Sequence, residues 1–148
     1  MHHIKANFKA FISYFFILLF CYAAISKIMD FEKFQIQIKD SPLLSPFSEF
    51  LPLFIIVIEL LLVGLLCYQK TQNIGLLGSF ILMLIFTVYI GIMLVTSENL
   101  PCSCGGILEK MSWTQHFYFN IGCAVLAFLA LVSNKKYNRP VDKDRNHS

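Results

Sequence analysis

The sequence predicts an all-α integral membrane protein, a bundle of four transmembrane helices with both termini in the cytoplasm, and three observations predict it. First, 57% of the 148 residues are apolar and only 14% are charged, against roughly 25% charged in soluble domains. Second, apolar runs recur near the length of about 20 residues that a membrane-spanning helix needs. A chain this short holds four such runs with their connectors and no separate soluble domain, so residues 1–148 read as one membrane domain. Third, the cations divide unequally between the two sides that four spans create. Fifteen Phe and six Tyr exclude a disordered chain. A net charge of +3 is too small for a nucleic-acid footprint, and the expected partner of the apolar surface is a lipid bilayer.

The first span is expected over about 10–26, uncharged and bounded by Lys9 and Lys27. A basic start before an apolar run also marks a cleaved signal peptide, but this run is too long and aromatic, and no small-x-small cleavage site follows. From Lys27 to Glu49 the chain is polar and carries Pro42 and Pro46, which predicts a loop with a short interfacial helix near Phe31 to Ile38. The second span covers about 50–68, with Pro52 in its first turn, where a missing N–H does no harm, and with Glu59 near its middle. Gln69 to Asn73 form a turn. The third span, about 74–96, is uncharged and carries Gly75, Gly78 and Gly91, small residues that let helices approach closely. After the polar segment Ser97 to Ser112, the fourth span covers about 113–132, with Trp113 as an interfacial anchor, and a polar, basic tail fills 134–148.

Four spans put Lys5, Lys9, Lys70, Lys135, Lys136, Arg139, Lys143 and Arg145 on one side and Lys27, Lys33, Lys39 and Lys110 on the other. The positive-inside rule places the first group, with both termini, in the cytoplasm. Cys102 and Cys104 then face the periplasmic side of a bacterial cytoplasmic membrane, where thiols are commonly oxidised.

That pair, in Pro101-Cys-Ser-Cys-Gly-Gly, carries most of the chemical information. Two thiols one residue apart close a tight disulfide that departs from relaxed geometry and is easier to reduce, which suits exchange with a partner's thiolate. A static disulfide is the competing reading. Zinc is not expected, since no second ligand pair of metal-site spacing lies nearby. Cys21, Cys67 and Cys123 read as small apolar side chains. Glu59 is costly within a span and marks a functional position by default; its cheapest partner is Lys27, which would pin the first two spans together. A structural pair and a proton-handling role both fit it. His116 and Asn120, four residues apart, share one helix face below the cysteine segment. His116 is placed to stabilise a thiolate or to bond water at the interface, and Asn120 to bond between helices.

The segment Ser26-Lys27-Ile28-Met29-Asp30-Phe31-Glu32-Lys33-Phe34, Glu59, the Cys102-Ser103-Cys104-Gly105-Gly106 loop, and Ser112-Trp113 with His116 and Asn120 resemble the MauE branch of the DoxX-like membrane proteins. The resemblance covers nearly the whole chain. It implies a four-helix membrane bundle, association with thioredoxin-like partners and a role in maturing or exporting a disulfide-rich periplasmic dehydrogenase subunit in methylamine utilisation, although no residue here recognises an amine. It also implies that Cys102 and Cys104 are the working cysteines and that Lys27 and Glu59 are family positions. The leading expectation is a membrane thiol-disulfide oxidoreductase, exchanging with an extracytoplasmic thioredoxin-like protein or a disulfide-containing client. A quinone held between helices enters only by analogy with other small disulfide-forming membrane proteins. The alternatives are a non-enzymatic membrane scaffold or accessory subunit with a structural loop disulfide, and a small transporter built on Glu59.

Overall fold

The computed structural model describes residues 2–96 and 111–135, and every regular element among them is helical. Helix α1 is His2–Met29, α2 is Phe31–Asp40, a 3-10 turn spans Ser45–Phe47, α3 is Leu51–Cys67, α4 is Gln72–Thr96 and α5 is Trp113–Lys135. Helix α4 packs against α3 and α5, and α1 packs against α3 and α5, so the four long helices surround a common core. Cys102, Cys104 and the tail from residue 136 lie outside the described residues.

Among the described residues three helices are long and apolar enough to cross a membrane, over Asn7–Met29, Gln72–Thr96 and Trp113–Ser133. The fourth apolar helix, α3, has 17 residues and is about 25 Å long at the α-helical rise, against about 30 Å of hydrocarbon. The four long helices face outward with predominantly apolar side chains, among them Leu18 at 71% exposure and Val95 at 87%. Water would penalise such a surface and lipid accepts it.

Local chemistry sets the element ends. Helix α1 begins before its apolar run because nothing between His2 and Lys9 breaks a helix, there being no Gly or Pro. Pro52 sits in the first turn of α3, and Phe54 N–H donates to the Phe50 carbonyl at 3.0 Å. At the far end Tyr68 turns to extended backbone, and the Thr71 hydroxyl donates to the carbonyls of Leu65 at 2.8 Å and Tyr68 at 3.3 Å. That hydroxyl takes up carbonyls a helix end leaves unpaired. The expected turn over 69–73 is thereby shortened, with α4 already helical at Gln72. A reciprocal cap starts α5: Gln115 N–H donates to Ser112 Oγ at 3.2 Å, and Ser112 N–H donates to Gln115 Oε1 at 3.0 Å.

The core joins Phe16 and Phe20 of α1, Leu62 and Leu66 of α3, Leu76 and Leu82 of α4, and Cys123, Ala124, Ala127 and Ala130 of α5. Near the α3–α4 turn these two helices touch closely. A Cβ on Gly75 would stand 2.9 Å from Leu66 Cγ and 3.0 Å from the Leu66 backbone nitrogen, and the backbone cannot step aside. Gly75→Val is expected to cost about 1–3 kcal/mol through overpacking. Unfolding in detergent micelles followed by circular dichroism checks this, and an unchanged midpoint would refute it.

Helix α2 is amphipathic. Phe34, Gln37 and Ile38, spaced i, i+3 and i+4, share one face, and Phe34 and Ile38 are buried while Ile36 is exposed. Just beyond its end, the hydroxyls of Ser41 and Tyr89 lie 2.8 Å apart, tying the α2 segment to α4.

Candidate functional site

Helical periodicity delivers the polar residues to one place. On α1, Phe16, Phe20 and Ala23 are buried on one stripe, and the same spacing carries that stripe to Lys27 in the last turn. On α3 the buried stripe is Pro52, Ile56, Glu59, Leu62 and Leu66, so Glu59 faces inward and is 1% exposed. On α5, Asn120 heads a buried stripe continued by Cys123, Ala124, Ala127 and Ala130.

Lys27 and Glu59 meet, with Nζ 2.9 Å from Oε1. The ammonium also donates to the Ala23 carbonyl at 3.3 Å and lies 5.6 Å from the centroid of the Phe34 ring. A carbonyl near a helix C-terminus and an aromatic face both attract a cation, so three elements hold this one charge. The second carboxylate oxygen, Glu59 Oε2, is buried without a hydrogen-bond partner, and so is Asn120 Nδ2.

Both side chains line a cavity of about 300 Å³, together with Lys27 and the half-buried His116. The remaining wall is largely apolar and includes Phe20, Ile58, Leu82 and Phe86, while α2 contributes Phe34, Gln37 and Ile38. The sequence singled out Lys27, Glu59, His116 and Asn120, and the fold brings all four to this cavity. It missed Gln37 and Tyr89, and Trp113, read as an interfacial anchor, also lines this space. The signals were present: Gln37 shares a helix face with Phe34 and Ile38, and Tyr89 is a polar-tipped ring in an uncharged run. Cys123 is buried and free, Cys21 half-buried and Cys67 exposed.

The arrangement is chemically specific. The ion pair balances its own charge, while one carboxylate oxygen of Glu59 and the side-chain amide nitrogen of Asn120 are buried without partners, on residues that line a largely apolar cavity. Helix α4 between Leu82 and Ile90 and the first two turns of α5 both line the cavity, and the chain between these two helices carries Cys102 and Cys104. A family model described as methylamine utilisation protein MauE matches residues 5–133. No curated protein and no solved structure gives a match.

Proposed function

The chain belongs to the MauE family of methylamine utilisation proteins, and from that premise we propose that it is a membrane protein exchanging disulfides through Cys102 and Cys104 with a thioredoxin-like partner or a maturing client on the periplasmic side. Lipid surrounds the apolar helices. In this reading α3 crosses the membrane with the other three, and the excess of cations at the ends of the chain and in the α3–α4 turn holds those parts in the cytoplasm. The observation that supports the reading is the family match over residues 5–133, and the Cys-x-Cys pair stands in the sequence between α4 and α5, two helices that both contribute to the cavity wall.

The exchange balances without an external oxidant. A thiolate of one pair attacks the other pair's disulfide, a mixed disulfide forms, and the second thiol of the attacking pair resolves it; one pair is oxidised as the other is reduced. In methylamine utilisation the client would be a disulfide-rich subunit that needs its cysteines paired. In this reading His116, near the start of the helix that follows the cysteine segment, favours the thiolate form by hydrogen bonding or by accepting the thiol's proton.

The test is the midpoint potential of Cys102 and Cys104 in isolated membranes, read by thiol trapping across graded dithiol buffers. A reversible pair between roughly −120 and −270 mV, the range of exchange proteins, is the expected result. A pair still oxidised below about −300 mV marks a structural bond and returns the protein to a scaffold role.

A further inference from the structure

The cavity is suited to more than holding an ion pair. Helices α3 and α4 are close at their shared turn, where Gly75 and Gly78 lie against Leu66 and Leu62. Towards the other end Phe54 of α3 and Ile85 of α4 both line the cavity, and both are exposed on the outer surface, at 54% and 58%. One wall residue on each of these helices therefore reaches the apolar exterior.

Three constraints define what fits. Lys27 and Glu59 neutralise each other, so a charged ligand would meet no countercharge in a space where burying a charge is costly. Glu59 Oε2 requires a donor and Asn120 Nδ2 requires an acceptor, both being buried and unpartnered; a hydroxyl group supplies both functions from one atom. The wall is rich in aromatic rings, among them Phe20, Phe86 and Phe119, which pack well against another ring. At about 300 Å³ the space is at the small end for ligand sites, enough for one ring with its chain leading outward. We propose that this cavity binds a neutral, lipid-soluble amphiphile of the alkylphenol class, its hydroxyl held between Glu59 and Asn120 and its alkyl chain passing between α3 and α4 into the bilayer. Binding at this site requires neither Cys102 nor Cys104.

Trp113, the single tryptophan of the chain, lines the cavity and reports on its contents. The full-length protein in lipid nanodiscs is titrated with 4-nonylphenol and with 4-nonylanisole, a methyl ether that accepts but cannot donate, while Trp113 emission is followed. The phenol is expected to give a saturable change, with the ether roughly tenfold weaker because Glu59 Oε2 stays unpaired. Asn120→Leu should weaken both probes by a similar factor, and Ile58→Phe, which fills the cavity, should remove the saturable change. The Cys102→Ser/Cys104→Ser variant should bind the phenol as the parent does, so failure of the thiol reading leaves the site intact. A linear, partition-like response in the parent protein, equal affinity for phenol and ether, or loss of binding in the cysteine variant would overturn the proposal.

Discussion

Replacing Lys27 by methionine is expected to destabilise the protein by about 3–5 kcal/mol, the usual cost of stranding one partner of a buried ion pair. Glu59 is 1% exposed, and Lys27 Nζ, 2.9 Å from its Oε1, is the hydrogen-bonded cation beside it. Without that cation the carboxylate keeps its desolvation penalty and loses its compensation. Glu59→Leu should cost less, because Lys27 sits in the last turn of α1 with its side chain 15% exposed and its long stem can extend towards the interface. In the Lys27→Met/Glu59→Leu double variant most of the loss should disappear, since removing both charges together is often neutral or favourable. Denaturant unfolding in micelles gives all three values. A Lys27→Met variant within 1 kcal/mol of the parent would mean that the pair contributes little. Glu59→Gln addresses the proton-handling role: full redox activity in a less stable protein would remove it.

The second large effect concerns chemistry and not stability. Cys102→Ser and Cys104→Ser should each abolish turnover in disulfide exchange, because a serine hydroxyl is not ionised near neutral pH and forms no disulfide. The two variants should nevertheless differ. Loss of the resolving cysteine leaves the mixed disulfide with the partner unresolved, so a covalent adduct accumulates; loss of the attacking cysteine yields none. Non-reducing gels of membranes carrying each variant read this directly. Full exchange activity in either variant would sink the thiol mechanism, whereas the helix content of both should match the parent.

Lys27 and Glu59 were legible as a pair because the sequence isolates them: one carboxylate inside an apolar run, and one cation at the end of the preceding run. Hydropathy settled where apolar stretches lie but not where helices stop. Helix α1 extends back to His2, since a helix has no reason to end where a membrane would. The amphipathic α2 could be anticipated from its side-chain spacing, but its hydroxyl contact between Ser41 and Tyr89 joins residues 48 apart and leaves no local pattern. Gly75 and Gly78 announced close packing, while their partners Leu66 and Leu62 became known only from the fold. The cavity has the same character: each of its walls is an ordinary apolar helix face, and the space exists only in their assembly.

The shortness of α3 fixes a length scale for its surroundings. A bilayer crossed by a helix about 5 Å shorter than its hydrocarbon core must thin locally, or the helix flank must be extended by other apolar groups. Leu43, Phe47 and Phe50, all exposed just before α3 begins, extend it without adding helix. In the proposed four-span arrangement, acyl chains on that flank meet an irregular apolar collar instead of a smooth cylinder. With α3 crossing as proposed, the lipid annulus is asymmetric, most disturbed beside this short helix.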